Sequence, residues 1–339
     1  MRKSTFLLLL LATVAFVTAA TYAVMTGERA VPVTAQGQRV LPDLAARLGD
    51  LVWMRLAQGT KKTDFTAVGG RWVLIEKSNY PANAGKMRRL LLGLADMTLV
   101  EPKTRRPELW SRLDLDDPSS GRSTLVRLQG RTGGTVAELI IGKTRRDRLG
   151  SGTDGVYVRK PGDDQAWLAR GSLEVPADLT GWLDRRIVDL PAARIATVTL
   201  TGSDGAELKL RREAAGAKFA VADPPDGALL KADAALTEPA AALAGLELDD
   251  VVTTAELPVP ESGVATALYT TFDGLAVTVW LFAHDGADWV TLEAMGGGAA
   301  EADAKAIDDR VANWTYKIPA ARAKMLRAKL ADLVEPPKG

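Results

Sequence analysis

The stretch from Ser123 to Ile141, STLVRLQGRTGGTVAELII, decides the fold class that the sequence predicts. Apolar and polar residues alternate on both sides of the turn Gly130-Arg131-Thr132-Gly133-Gly134. Such alternation is typical of a strand with one buried face, and a glycine-containing turn between two such runs indicates a β-hairpin. The stretch therefore predicts two antiparallel strands.

A second hairpin signal lies further along the chain, where Ala267 to Phe272 and Ala276 to Phe282 flank Asp273-Gly274-Leu275. A short turn containing Asp-Gly between two apolar runs favours a hairpin for the same reason. Around each hairpin, similar strand, turn and helix signals follow one another in the same order. One series of signals begins at Leu41-Pro42 and the other at Leu190-Pro191. Self-similarity of this kind indicates an internal repeat.

Each series also contains an apolar stripe with the i, i+3, i+4 spacing of an amphipathic helix. The stripe residues are Met87, Leu90, Leu91, Leu94 and Met97 in the first series and Leu236, Ala240, Leu243 and Leu246 in the second. Strands that pair locally, combined with separate helices, favour the α+β class. The sequence therefore predicts two tandem related α+β repeats with mixed or antiparallel sheets, residues 38–188 and residues 189–335.

The amino terminus predicts a membrane segment, because two basic residues are followed by residues 6–25, which carry no charge. As a helix, this stretch would span roughly 30 Å, the thickness of the hydrocarbon core. Residues 1–28 are therefore predicted to be a transmembrane helix, a single-pass anchor in the cytoplasmic (inner) membrane. The basic residues predict a cytoplasmic amino terminus and a periplasmic, extracytoplasmic location for the bulk of the chain. A signal peptide cleaved near Ala19 or Ala23 is the alternative.

Charge is unevenly distributed along the chain, although the net charge is only +1. Residues 30–190 contain 26 Lys and Arg against 19 Asp and Glu, whereas residues 191–339 contain 14 against 22. Basic runs in the first half predict a contact surface for anionic headgroups or an acidic partner, with solvated loops as the alternative. Its residues are Lys103, Arg105, Arg106, Lys143, Arg145, Arg146 and Arg148. Nucleic acid is not an expected partner of an extracytoplasmic chain.

The sequence contains no recognisable catalytic or metal-binding motif. His284 is the single histidine and the chain has no cysteine, which excludes zinc sites built from histidine clusters or thiolates. No Gly-x-x-x-x-Gly-Lys-Ser/Thr loop occurs, so the chain is not a P-loop ATPase. Adjacent acidic residues predict turns rather than catalytic pairs, at Asp116-Asp117, Asp163-Asp164, Asp249-Asp250 and Asp308-Asp309. We therefore expect no cofactor and no enzyme activity.

Six short motifs recur in a characteristic order: Leu41-Pro42-Asp43-Leu44, Trp72 with Tyr80-Pro81, Leu115-Asp116-Asp117-Pro118, Leu139-Ile140-Ile141-Gly142, Val156-Tyr157-Val158-Arg159, and Trp182 with Arg185-Arg186. In this order they resemble the bacterial domain of unknown function (DUF) family 4340. Asp114 departs from the family, which commonly has glycine at this position. The resemblance implies a membrane-anchored envelope protein, often encoded beside ABC transporter components that resemble the gliding-motility auxiliary system. It implies no catalytic residues.

Three functions follow as hypotheses. The first is a non-enzymatic, membrane-anchored accessory protein whose partner is an ABC-type membrane complex, a permease or auxiliary subunit. The second is an envelope enzyme that acts on glycans through carboxylates. The third is a ligand-binding module that uses a groove between the two repeats.

Overall fold

A computed structural model describes the chain over residues 12–18, 35–145, 154–171, 173–224 and 229–335. These residues form helices together with antiparallel sheets, so the predicted α+β class is confirmed. Of the predicted membrane anchor only residues 12–18 are described; they are helical and exposed, and the rest of the anchor lies outside the described residues.

Over the same described ranges, no helix combines the length and the apolar character that crossing a membrane requires.

The chain divides into two compact units. The first unit comprises Met1–Ile75 and Ala84–Ala177, and the second comprises Glu76–Asn83 and Asp178–Gly339. A short segment from within the first predicted repeat, Glu76–Asn83, therefore belongs to the second unit.

The strands are β1 (Leu51–Gln58), β2 (Lys61–Val68), β3 (Arg71–Leu74), β4 (Tyr80–Pro81), β5 (Thr98–Thr104), β6 (Thr124–Gly130), β7 (Thr135–Arg145), β8 (Gly155–Arg159), β9 (Ala166–Arg170), β10 (Arg186–Val188), β11 (Ile195–Thr201), β12 (Glu207–Arg211), β13 (Ala220–Val221), β14 (Leu246–Glu247), β15 (Asp250–Thr253), β16 (Ala265–Thr271), β17 (Ala276–His284), β18 (Ala287–Met295) and β19 (Trp314–Ile318). The helices from residue 35 onward are Leu44–Arg47, Ala84–Asp96, Asp233–Thr237, Glu301–Val311, Ala320–Leu326 and Leu330–Leu333.

Both predicted hairpins form. In the first unit β6 pairs with β7, from Thr124 opposite Ile141 to Gln129 opposite Thr135. In the second unit β16 pairs with β17 in the same antiparallel manner. The alternating residues place one row of side chains in the core and the other toward solvent, as the two-residue period of a strand requires.

Around the hairpins, the sheet of the first unit has the order β3-β2-β1-β6-β7-β8-β9-β5. The sheet of the second unit has the order β13-β12-β11-β16-β17-β18-β19-β15. The two orders match strand for strand, because adding ten to each strand number of the first order gives the second order.

The predicted helical stripes lie in the cores. In the helix Ala84–Asp96 the apolar stripe residues are at most 9% exposed, and Met97 directly after it is 1% exposed. The second stripe is equally buried, but it does not form one helix, because the helix ends at Thr237 and Leu246 lies in β14. Pro239 explains the difference, since proline lacks the N–H of the helical ladder and its ring clashes with the preceding turn.

Candidate functional site

The structure separates the two basic runs that the sequence predicted as one contact surface. Lys103 lies in β5, with Arg105 and Arg106 immediately after it, whereas Lys143 and Arg145 form the end of β7. Arg146 and Arg148 lie outside the described residues.

The register of the sheet shows how far apart the two runs are. The cross-strand row of Thr104 continues through Ala166 and Arg159 to Ile140, so this row meets β7 five residues before Arg145. At about 3.3 Å per residue, the two runs are separated by about 17 Å along the strands, in addition to three strand spacings across the sheet. They therefore lie at opposite ends of the sheet.

The run after β5 makes contacts with its own neighbours. Lys103 Nζ lies 2.6 Å from a carboxylate oxygen of Glu101. Arg105 Nε donates to Oε1 of Gln165 at 2.9 Å, and Gln165 is itself 5% exposed. These contacts tie the end of β5 to the turn before β9.

A buried arginine near this end of the sheet organises a second group of residues, which we call the Arg159 cluster: Trp110, Leu115, Gly142, Arg159 and Asp163. Arg159 is 7% exposed, and its guanidinium lies 3.7 Å from the ring centroid of Trp110. Its two terminal nitrogens donate to the carbonyl oxygens of Leu115 at 3.4 Å and Asp163 at 3.3 Å. A cation stacked on an indole in a desolvated site is a favourable contact.

Two acidic pairs supply the charge that balances this arginine. Burial lowers the pKa of Arg159, while Asp164, Asp117, Asp163 and Asp116 act in the opposite direction. Nε of Arg159 has no hydrogen-bond partner among the described atoms. Because a buried charge is costly unless it is paired, the carboxylates and the arginine stabilise one another.

The same carboxylates also shape their own turns, as the sequence predicted for these two pairs. The same prediction is wrong for Asp308-Asp309, which lies inside the helix Glu301–Val311. Asp117 accepts hydrogen bonds from the backbone N–H and the hydroxyl of Ser119, which hold the pKa of Asp117 below its usual value. Asp163 accepts from the backbone N–H of Gln165 at 2.9 Å, and Asp116 pairs with Arg122. Asp117 precedes the short 3₁₀ turn Pro118–Ser120, where an aspartate cap is favoured.

Close backbone packing completes the Arg159 cluster. A Cβ atom on Gly142 would lie 2.8 Å from the carbonyl oxygen of Asp114 and closer still to that of Leu113. Asp114 itself has a φ of 54°, a left-handed conformation that glycine adopts most easily. Such a position suits the glycine that the resemblance implies, and aspartate is among the residues that enter the left-handed region more readily than most.

Replacing Gly142 by alanine is expected to destabilise the first unit by about 1–3 kcal/mol, because the added methyl group meets backbone carbonyls that cannot rotate away. Gly134→Ala on the same hairpin is the matched control, since a Cβ there meets nothing closer than 3.9 Å. Urea unfolding of both variants measures the difference. Equal unfolding midpoints would show that residues 113–115 move away from β7 without cost.

Two further motif residues, Tyr80 and Trp182, belong to the second unit, in what we call the Tyr80 cluster: Tyr80, Trp182, Asp184, Trp314 and Tyr316. Tyr80 is 3% exposed and donates its hydroxyl to the carbonyl oxygen of Asp184 at 3.1 Å. Its ring meets Trp314 edge-on with centroids 4.9 Å apart. Burial, followed by the charge of Asp184, raises the pKa of Tyr80, so this phenol remains a neutral donor.

The described residues line at least two cavities. One of about 240 Å³ lies between the β11–β12 turn and residues 326–331, where Lys329 Nζ approaches Asp204 at 2.6 Å. The other carboxylate that lines this cavity is that of Glu207, and its Oε2 lies 3.2 Å from Nζ of Lys209. The second, of about 400 Å³, is lined by residues of the helix Ala84–Asp96 and by residues 173–176.

Metal and histidine chemistry find little support in the described part of the chain. No group of three histidine, aspartate or glutamate side chains there is placed to hold a metal ion. His284 is exposed, and its Nε2 lies 3.3 Å from a carboxylate oxygen of Asp285. The sequence predicted His284 in a turn, but it is the last residue of β17, opposite Ala287, and the turn begins at Asp285.

Comparison with known proteins returns one finding. A family model described as "Domain of unknown function (DUF4340)" matches residues 72–263, which is more than half of the chain. The matched range contains the whole Arg159 cluster and three residues of the Tyr80 cluster, Tyr80, Trp182 and Asp184. No curated protein and no solved structure matches the chain.

Proposed function

The chain belongs to the DUF4340 family, and from this premise we propose that it is a membrane-anchored, extracytoplasmic accessory protein of an ABC-type transport complex. The observation that carries the proposal is that its motif residues contact one another. Arg159, Trp110 and Gly142 fix a loop on a sheet, and Tyr80 and Trp182 fix a segment in a core. Motif residues that make such internal contacts stabilise the fold, and the fold in turn presents its surfaces to partners.

We also propose that the two units are tandem copies of one ancestral α+β unit. The support is the correspondence of the two sheet orders, in which β1 to β3 occupy the positions of β11 to β13 and β5 that of β15. A duplicated framework offers a partner two surfaces of the same shape. The surfaces differ in charge, because the first half of the chain is basic and the second acidic.

The membrane-anchored part of the proposal rests on residues 6–25, which carry no charge. Where the described chain resumes, residues 37–40 are fastened to the first unit: Leu99 donates to the carbonyl oxygen of Gln38 at 2.9 Å and accepts from Gly37 at 2.8 Å. This attachment makes the apolar segment a tether of the first unit rather than a separate appendage.

Affinity purification tests the proposal. The full chain, tagged at its carboxyl terminus and extracted from membranes in mild detergent, is expected to enrich the permease and ATPase subunits of an ABC complex. The matched control carries the same tag on residues 1–36 alone, which retains the anchor and removes both units. Enrichment that is equal for the two proteins would contradict the proposal.

The glycan-acting alternative is less well supported, because the acidic residues it would need are engaged. Carboxylates from all four acidic pairs have a partner within the fold: Asp116 with Arg122, Asp163 with the backbone of Gln165, Asp249 with Arg185, Asp250 with Lys77 and Asp309 with Lys305. A glycosidase needs two carboxyl groups that face a sugar across a cleft. The third function, a ligand-binding module, stays a prediction.

A further inference from the structure

We infer that one end of the first unit's sheet, which we call the Arg145 end, is a contact surface for anionic lipid headgroups. This inference rests on the proposed membrane anchor. The exposed cations of the Arg145 end are Arg39, Lys143, Arg145 and Arg170. Among these, the basic runs of the sequence include Lys143 and Arg145 alone.

A single cross-strand row brings three of the arginines to one end. Arg145 lies opposite Gly155, Gly155 opposite Arg170, Arg170 opposite Thr98, and Thr98 opposite Arg39. Residues directly opposite one another in antiparallel strands project from the same face. With strands about 4.8 Å apart, the three arginines are spaced about 10 Å from one another along a line.

The neighbouring strands β1, β2 and β6 end before this row. Lys62 lies opposite Ala57, Ala57 opposite Leu125, and Leu125 opposite Ile140, so Lys62 belongs to the row of Thr104 and not to that of Arg145. The Arg145 end is therefore formed by β7, β8, β9 and β5, and Lys143 and Arg145 are exposed at the end of β7.

Few carboxylates oppose this charge. Arg145 and Arg170 have no ion-pair partner among the described residues, and the ion pair of Arg39 with Asp96 is loose, at 3.4 Å, and exposed on both sides. Exposed pairs of this kind contribute little. Asp154, directly before Gly155, adds one further carboxylate, so the four exposed cations face the two carboxylates of Asp96 and Asp154.

The attachment of the chain argues for lipid as the partner. Residues 37–40 join the sheet beside Thr98 and Leu99, in the same row as Arg170 and Arg145. The stretch from residue 26 to residue 36 can span at most about 40 Å even when fully extended. The tether thus joins the first unit at the Arg145 end, and arginine binds lipid phosphate through paired N–H groups.

The opposite end of the sheet lacks such a row of exposed arginines. Lys103 and Arg105 there are engaged by Glu101 and Gln165. The acidic pair Asp163-Asp164 also lies there, in the turn between β8 and β9. The two ends of one sheet thus provide a matched comparison within a single protein.

The absence of cysteine allows a fluorophore to be placed at one site at a time. Thr144→Cys labels the end of β7 beside Arg145, and Thr132→Cys labels the β6–β7 turn at the far end of the same strand. The full chain is reconstituted in vesicles of phosphatidylcholine, with or without phosphatidylglycerol. Quenching by headgroup-labelled lipid then reports which end approaches the membrane.

Quenching at position 144 is expected to exceed quenching at position 132 at least twofold in vesicles containing phosphatidylglycerol. It should fall toward the phosphatidylcholine level in Arg145→Gln/Arg170→Gln and stay unchanged in the control Arg105→Gln/Arg106→Gln. Equal quenching at the two positions, or no response to the first double substitution, would overturn the inference. Flotation separates the two claims: a chain that floats with the vesicles but fails the quenching test refutes the lipid surface alone, whereas a chain that does not float refutes the anchor.

Discussion

Replacing Arg159 by methionine is expected to destabilise the first unit by about 3–5 kcal/mol, the range found when one partner of a buried charge network is removed. Methionine fills much of the space beneath Trp110. It leaves the carbonyl oxygens of Leu115 and Asp163 without their donors, and it leaves the surrounding carboxylates without their cation. The loss should therefore exceed that of an ordinary surface arginine.

Arg170→Met is the matched control, because Arg170 ends the neighbouring strand β9 and is exposed. Surface substitutions of this kind change stability by about 0.5 kcal/mol or less. Urea unfolding monitored by hydrogen exchange in residues 107–122 separates the first unit from the second. Arg159→Lys adds a further distinction: it keeps the charge but loses the planar stack on Trp110, so it should recover only part of the stability.

If Arg159→Met and Arg170→Met unfolded at the same urea concentration, Arg159 would not be what holds the 107–122 loop on the sheet. If hydrogen exchange in residues 107–122 were unchanged while the global stability fell, Arg159 would stabilise its own strand β8 rather than the 107–122 loop. Either result would remove the structural role that the proposed function assigns to this motif.

The hairpins and helical stripes could be predicted because their information is local. A two-residue or 3.6-residue period is visible in a dozen consecutive residues and survives whatever the rest of the chain does. Ser123 to Ile141 shows this, since its alternation and its turn both reappear as β6 and β7. The second helical stripe shows the limit: its burial follows the pattern, but Pro239 interrupts the helix.

The sites could not be predicted in the same way, because they depend on which distant strands are neighbours. Placing β5 beside β9, rather than beside β6 that follows it in the chain, sends Lys103 and Arg145 to opposite ends of one sheet. Arginine is also expected at the surface, so Arg159 offered no sign of burial except its place in a strand. Its partner Leu115 lies 44 residues away.

Replacing Trp182 by alanine is expected to destabilise the second unit by about 3–5 kcal/mol, the usual range for an aromatic side chain removed from a core. The indole is 1% exposed and belongs to the turn Thr180–Trp182. Backbone hydrogen bonds join the segment Glu76–Asn83 to the end of this turn and to the residues directly after it. Asn83 donates to the carbonyl oxygen of Trp182 at 2.7 Å, and Asp184 donates to that of Pro81 at 3.0 Å.

The variant should therefore loosen a segment about a hundred positions earlier in the chain. Hydrogen exchange of residues 76–83 is expected to rise together with that of residues 180–186. Phe272→Ala is the control: it also removes an aromatic ring from the second unit, but Phe272 is 45% exposed and its loss should leave residues 76–83 protected. If exchange rose near residue 182 while residues 76–83 kept their protection, Tyr80 and its neighbours would hold that segment without help from Trp182. The Tyr80 cluster would then be two independent contacts rather than one.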